Sequence, residues 1–213
     1  PISGEVTEIL RGEKRRILEV KVKADGLNTS ETFKQGDPIN MAKEEILDNM
    51  LKSGVWPFVR QRPFDVIANP MVTPKAIHVT AFDSSPLAPD FGFIAHGQGD
   101  VIQTGLDALT KLTSGIVHLN ITGNSNADEA FSGAKNVQIN KISGPHPAGN
   151  VGVQLHHIDP VNKGEVVWTL SALDVLTIGR LFKTGSFDAS RTITLAGSKI
   201  TAPKYVKTVL EIM

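Results

Sequence analysis

Ala76-Ile77-His78-Val79-Thr80-Ala81-Phe82 is an apolar-rich run broken at once by Asp83-Ser84-Ser85-Pro86. It reads as a buried strand that ends in a turn. Helical periodicity follows over residues 100–112 and stops near Gly115. A second buried strand, 116–121, then runs into Thr122-Gly123-Asn124-Ser125. Strand, helix, strand is the signature of a parallel sheet with right-handed crossovers. Working outward, a short helix over 127–133, a strand over 137–142, a helix over 149–156, a strand over 166–170 and a helix over 172–183 continue the alternation. The fold class is α/β, a mostly parallel sheet with helices on both faces.

Upstream, 5–10 and 16–22 alternate apolar and charged residues, a half-buried hairpin turned by Arg11-Gly12-Glu13-Lys14. A hairpin that small needs a partner sheet. Residues 24–38 read as a linker. Asn40 is the expected N-cap of a helix with Ile46, Leu47, Met50 and Leu51 on one stripe, stopped by Gly54. The segment 56–64, rich in aromatics, prolines and arginines, reads as an ordered loop. Residues 191–196 and 205–212 read as closing strands.

Composition narrows the function. The 213 residues carry 22 basic and 22 acidic side chains, so the net charge is zero, against a chain devoted to nucleic acid. No cysteine is present, which excludes disulfides, thiolate zinc sites, cysteine-held clusters and a cysteine nucleophile in this chain. No run of 18 apolar residues occurs, so no helical span is expected. The chain opens Pro1-Ile2-Ser3-Gly4 without a signal-like segment, and both ends fall in strand-like sequence. An internal piece of a longer protein is expected.

Most motifs fail. Gly97-x-Gly99 lacks the third glycine of a dinucleotide loop, since Ile102 stands there. The 144–149 loop has the glycine spacing of a phosphate loop, but Asn150 and Val151 replace the lysine and hydroxyl residue. No H-E-x-x-H and no G-x-S-x-G occur. His156 and His157 are adjacent and diverge on a helix, so they suit a helix end or interface. His78 and His118 read as satisfied core or sheet-face histidines, and no metal ligand set is assigned. Asp83 suits a turn or acid–base work. Open α/β sheets bind ligands beyond the carboxyl ends of their strands, which directs attention to the loops 83–89, 122–126 and 143–152. The most unusual segment is Ser143-Gly144-Pro145-His146-Pro147-Ala148-Gly149. It is either a rigid strand-to-helix connection or a loop that offers backbone N–H groups and one imidazole to a ligand or partner.

Several stretches together carry a resemblance. They are Gly4-Glu5-Val6 with Arg11-Gly12-Glu13-Lys14-Arg15; Ser53-Gly54-Val55-Trp56 with Arg60-Gln61-Arg62-Pro63-Phe64; 75–83 with Pro86-Leu87-Ala88; and, most specific, Ser143-Gly144-Pro145-His146-Pro147-Ala148-Gly149. Asp159-Pro160-Val161-Asn162, 179–185 and 191–197 support them. The sequence resembles the NqrA subunits of the sodium-translocating NADH:quinone oxidoreductases, the Nqr family. The resemblance implies that 1–26 is the tail of a barrel-sandwich (biotinyl/lipoyl-like) domain, 27–164 a Rossmann-like α/β domain, and 165–213 the start of an SLBB-like β-grasp segment. Cluster-bearing Rnf relatives need cysteines, so their absence places the chain on the Nqr side. It implies a peripheral subunit on the cytoplasmic face of the bacterial inner membrane. That subunit would contact other Nqr subunits, above all the membrane-embedded NqrB, and serve the quinone-reduction end of the electron path. Ubiquinone would be the substrate of the complex, and FMN, FAD, riboflavin and Fe–S would sit in other subunits.

The glycine- and arginine-rich flavin loop of the wider superfamily is missing, so neither FMN nor NADH is expected to bind this chain, and the fragment alone is expected to be inactive. Candidate quinone- or partner-binding residues are Gly144, Pro145, His146, Pro147 and Gly149, with Trp56, Phe58 and Phe64 as apolar walls; catalytic residues are not assigned. The alternative is a non-catalytic scaffold whose 56–64 segment is an interface loop shaping a quinone site on the membrane partner. A free-standing nucleotide-dependent enzyme is disfavoured because both phosphate motifs fail.

Overall fold

The computed structural model describes residues 3–27, 29–123 and 129–209. Parts of the expected turn at 122–125, of the loop 122–126, of the helix 127–133 and of the strand 205–212 lie outside them. The chain opens with the expected antiparallel hairpin, β1 (Gly4–Arg11) and β2 (Ile17–Ala24). Val6, Ile9, Leu18 and Val20 stand exposed on it. The linker that follows is tied down: Phe33 N–H donates to Gly185 O and Gly36 N–H to Phe182 O.

Helix α1 (Lys43–Lys52) is capped differently from the expectation. Asn40 ends a 3-10 turn (Pro38–Asn40) that Asp37 caps by accepting from Ile39 N–H at 3.1 Å. Extended Met41 separates this turn from α1, and Glu45 accepts the Ala42 N–H at 3.1 Å. Ile46 and Met50 are buried, whereas Leu51 is exposed.

The segment 56–64 is not only loop. It holds a 3-10 turn (Trp56–Phe58) and β3 (Arg60–Arg62), which pairs antiparallel with β4 (Val66–Ile67) and with the strand β8 (Val167–Ser171). Three polar residues give no apolar alternation, so the backbone ladder alone makes this strand. The parallel part of the sheet is β5 (Ala76–Thr80), β6 (Val117–Thr122), β7 (Gln138–Ile142) and β8, and the whole order is β4-β3-β8-β5-β6-β7. Helices α2 (Phe91–Ala95) and α3 (Gly99–Thr110) join β5 to β6, and α4 (Glu129–Ser132) leads to β7. Helix α5 (Val151–Ile158) crosses back to β8, and α6 (Ala172–Thr184) follows. β8 and α6, expected beyond a boundary at 165, lie inside this sheet and its core. A last hairpin, β9 (Ser190–Leu195) and β10 (Lys204–Val209), forms its own two-stranded sheet.

The two sheet faces differ in chemistry. Ile77, Val117 and Trp168 share one row, and Val79, Leu119 and Leu170 the next. They form the apolar core with Ile102, Leu106, Val175 and Ile178 of α3 and α6. The two helices touch closely because Gly105 and Gly179 lack side chains. A Cβ on Gly105 would meet Val175 O at 2.3 Å, and one on Gly179 would meet Val101 O at 1.9 Å. The opposite face carries His78, His118 and Thr169, then Thr80, Asn120, Asn140 and Ser171. Buried amides on that face are satisfied in a chain. Asn140 donates to Asn120 Oδ1 at 2.9 Å, Asn120 to Gln154 Oε1 at 3.0 Å, and Gln154 of α5 to Thr80 Oγ1 at 3.0 Å and Ala148 O at 3.2 Å.

Candidate functional site

Apolar runs drive β5 and β6 side by side, so the loops at their carboxyl ends open onto one place. A cavity of about 840 Å³ lies there, within the size range of roughly 300–1,000 Å³ that holds small ligands. Phe82, Phe91, Phe93 and Phe131 line it, with Asp83, Asp90 and His96 as polar groups. Asp90 accepts from Gly92 and Phe93 N–H at 2.9 and 3.2 Å, which starts α2 and aims its phenylalanines. Phe93 stacks on Tyr205 of β10 at 4.6 Å, and Tyr205 Oη accepts the Asp90 N–H at 2.9 Å. The final hairpin thus touches the cavity wall.

The 143–149 loop docks beside this cavity. Ser84 Oγ lies 3.1 Å from His146 Nδ1 and accepts the Gly149 N–H at 2.8 Å. A Cβ on Gly149 would stand 2.3 Å from Ser84 N, so glycine is needed for the approach. Ser84 follows Asp83, which accepts the Ser85 N–H at 2.8 Å as the turn residue expected. Gly144 has φ +156 and faces the Ala148 methyl, and the His146–Pro147 bond is cis. Two of the three expected loops, 83–89 and 143–152, therefore meet, and Thr122, at the end of β6, lines the cavity.

The expected aromatic walls do not join them. Trp56 is buried core, donating to Ala68 O at 2.8 Å and packing edge-on against Trp168 at 5.3 Å. Phe58 lies under the Arg191 guanidinium, 4.9 Å from its ring centre. Phe64 is 81% exposed at the β3–β4 turn. Sequence reasoning missed the cavity's phenylalanines. The Asp90 cap followed by Phe91 and Phe93 was the available signal.

His78 overturns the expectation of a satisfied core histidine. It is fully buried, and neither ring nitrogen has a hydrogen-bond partner. Burial strips the water that would solvate the imidazolium, with His118 alongside, and its pKa falls to about 3. His118, stacked on it at 4.2 Å, is held low by the same burial.

An open α/β sheet of mostly parallel strands defines an α/β domain, and the fold is similar to that of a chain of a solved NAD+-reducing NiFe-hydrogenase. That structure aligns at TM-score 0.52 and 10% identity over 86% of this chain and 42% of the other. The family model described as the NqrA second alpha/beta domain matches residues 41–187, and the chain belongs to the NqrA family. Relatives named as the NqrA component of the Na(+)-translocating NADH-quinone reductase include one from Rhodopirellula baltica, 37% identical over 98% of this chain and 46% of its own length. Another from Neisseria meningitidis serogroup B is 38% identical over 99% and 47%, and one from Pseudomonas aeruginosa is 39% identical over 98% and 46%. The chain spans about half the length of the curated relatives it matches. Among the described residues no helix is long and apolar enough to cross a membrane.

Proposed function

We propose that this chain is part of a peripheral subunit of the sodium-translocating NADH:quinone oxidoreductase, on the cytoplasmic face of the inner membrane, and that it serves the quinone-reduction end. The observation that carries the reading is the convergence of four phenylalanines on one cavity at the carboxyl ends of β5 and β6. A quinone ring needs apolar walls, a hydrogen-bond donor at a carbonyl oxygen and a proton source. Phe82, Phe91 and Phe131 would supply walls, and His96 the imidazole donor. His146 contributes by fixing Ser84 and, through it, the turn that carries Asp83. FMN, FAD, riboflavin and Fe–S belong to the other Nqr subunits in this reading, and electrons arrive from them. The hairpin 1–26 belongs to a barrel-sandwich domain; its exposed Val6, Ile9, Leu18 and Val20 fit a sheet that another part of the polypeptide covers. The β9–β10 hairpin belongs to an SLBB-like segment.

Quinone kinetics of the assembled complex test the reading. Phe91→Ala is expected to raise KM for quinone severalfold with the NADH side unchanged, and unaltered quinone kinetics would remove it.

A second reading rests on a different observation. Phe64 and Met71 are 81% and 87% exposed, with Val66 and Ile67 half exposed between them. An apolar patch of this kind suits a scaffold that grips the membrane-embedded NqrB and shapes a quinone site there. Phe64→Glu would then release the protein from the complex, whereas the first reading predicts retained assembly.

A further inference from the structure

The polar face of the sheet holds a second constellation, away from the cavity. His78 and His118 face each other across β5 and β6, with ring planes 20° apart and centroids at 4.2 Å. Asp159, at the carboxyl end of α5, reaches the same place. One ligand atom from each of the three lies within 4.8 Å of the other two. Tetrahedral ligands on bonds of 2.0–2.1 Å stand roughly 3.4 Å apart, so the three meet on one ion when they close in and the stacked rings tilt until their in-plane lone pairs converge. The second observation is His78 itself. Its ring is 0% exposed, and both nitrogens lack partners. A buried polar group without a partner costs about 1–3 kcal/mol, and a water or an ion at the ring would remove that cost.

We propose that His78, His118 and Asp159 form a binding site for a divalent transition ion of the Zn²⁺ class. Two imidazoles and one carboxylate suit such ions rather than Mg²⁺ or Ca²⁺, which take oxygen sets. Asn140 Nδ2 sits 3.2 Å from His118 Nδ1 and donates to Asn120 Oδ1, so without the ion His118 Nδ1 accepts from an amide, and binding an ion at Nε2 requires that amide to turn its oxygen to the ring. Lys75 opposes the ion, since its Nζ lies 2.6 Å from Asp159 Oδ1. Lys75 also contacts Glu165 Oε2 at 3.0 Å and Pro160 O at 3.3 Å, so it keeps partners when Asp159 turns to the ion. Three protein ligands leave the fourth position to water.

Equilibrium dialysis of the EDTA-stripped, full-length protein against Zn²⁺, with metal analysis, tests this. One Zn²⁺ per chain is expected, and Co²⁺ in its place should give the intense visible bands of a tetrahedral ion. Asp159→Asn, on a partly exposed residue, should weaken binding at least tenfold with an unchanged circular dichroism spectrum. Lys75→Met should tighten binding severalfold, the opposite of what loss of a merely structural ion pair would do. The proposal is overturned by no stoichiometric Zn²⁺ on the full-length protein, or by equal affinity in the wild type and Asp159→Asn. Should His118→Gln fail to fold, the Asp159 and Lys75 variants still decide.

Discussion

Ser84 Oγ accepts the Gly149 N–H at 2.8 Å while it stands 3.1 Å from His146 Nδ1. One hydroxyl thus locks the turn after β5 to the loop before α5, two segments 65 residues apart. Ser84→Ala leaves the Gly149 N–H without its acceptor, at a cost of about 1–2 kcal/mol. Hydrogen exchange at Gly149 should quicken while the β5 and β6 amides keep their protection. Equal exchange at Gly149 in both proteins would contradict the role given to Ser84.

The α3–α6 contact yields a packing prediction. Gly179→Ala drives a methyl to 1.9 Å from Val101 O, and the helices must separate. Overpacking of this kind costs about 1–3 kcal/mol. Denaturant unfolding should show a lower midpoint with the same slope. A midpoint equal to the wild type would mean that the helices do not meet as described.

The pH dependence follows from His78 in the metal-free chain. Its folded pKa, about 3, lies below the unfolded value of 6.5. Between these values the unfolded chain binds a proton that the folded chain refuses, so stability rises with pH and falls as the solution is acidified from 6.5 towards 3. Each pH unit in this window is worth up to about 1.4 kcal/mol. Unfolding measured in EDTA at several pH values should show this slope, and His78→Gln should reduce it by one proton. An identical slope in both proteins would contradict the assignment.

The missing flavin loop also makes a prediction. Titration of the purified chain with FMN should give no saturable change in Trp fluorescence. Tight, saturable binding would show that other residues do the work of that loop.

The apolar core was legible because its rows are written as Ile77, Val79, Leu119 and Ile121 at period two between turn residues. The polar face sat in the same strands as His78, Thr80 and Asn120. A run of mixed residues reads as buried without telling whether its polar members are paired. Strand β3 was hidden because Arg60-Gln61-Arg62 owes its place to β8, more than 100 residues later. Helix α2 was hidden by its length of five residues, too short for a periodic signal. The meeting of the 143–149 loop with the turn at 83–86 fits the rule for carboxyl ends of parallel strands. The distribution of aromatics did not fit any local rule. Trp56 and Phe58 look like a binding segment in sequence but are spent on Trp168 and Arg191. The cavity's phenylalanines are spread over 50 positions, and only tertiary structure gathers them.

The central claim is that the cavity at the ends of β5 and β6 receives quinone. A photoreactive quinone analogue, cross-linked in the intact complex and mapped by peptide sequencing, tests it most directly. Labels are expected on segments 81–96 and 117–123, lost on competition with ubiquinone. Labels confined to the membrane-embedded subunits, with none on these segments, would contradict it.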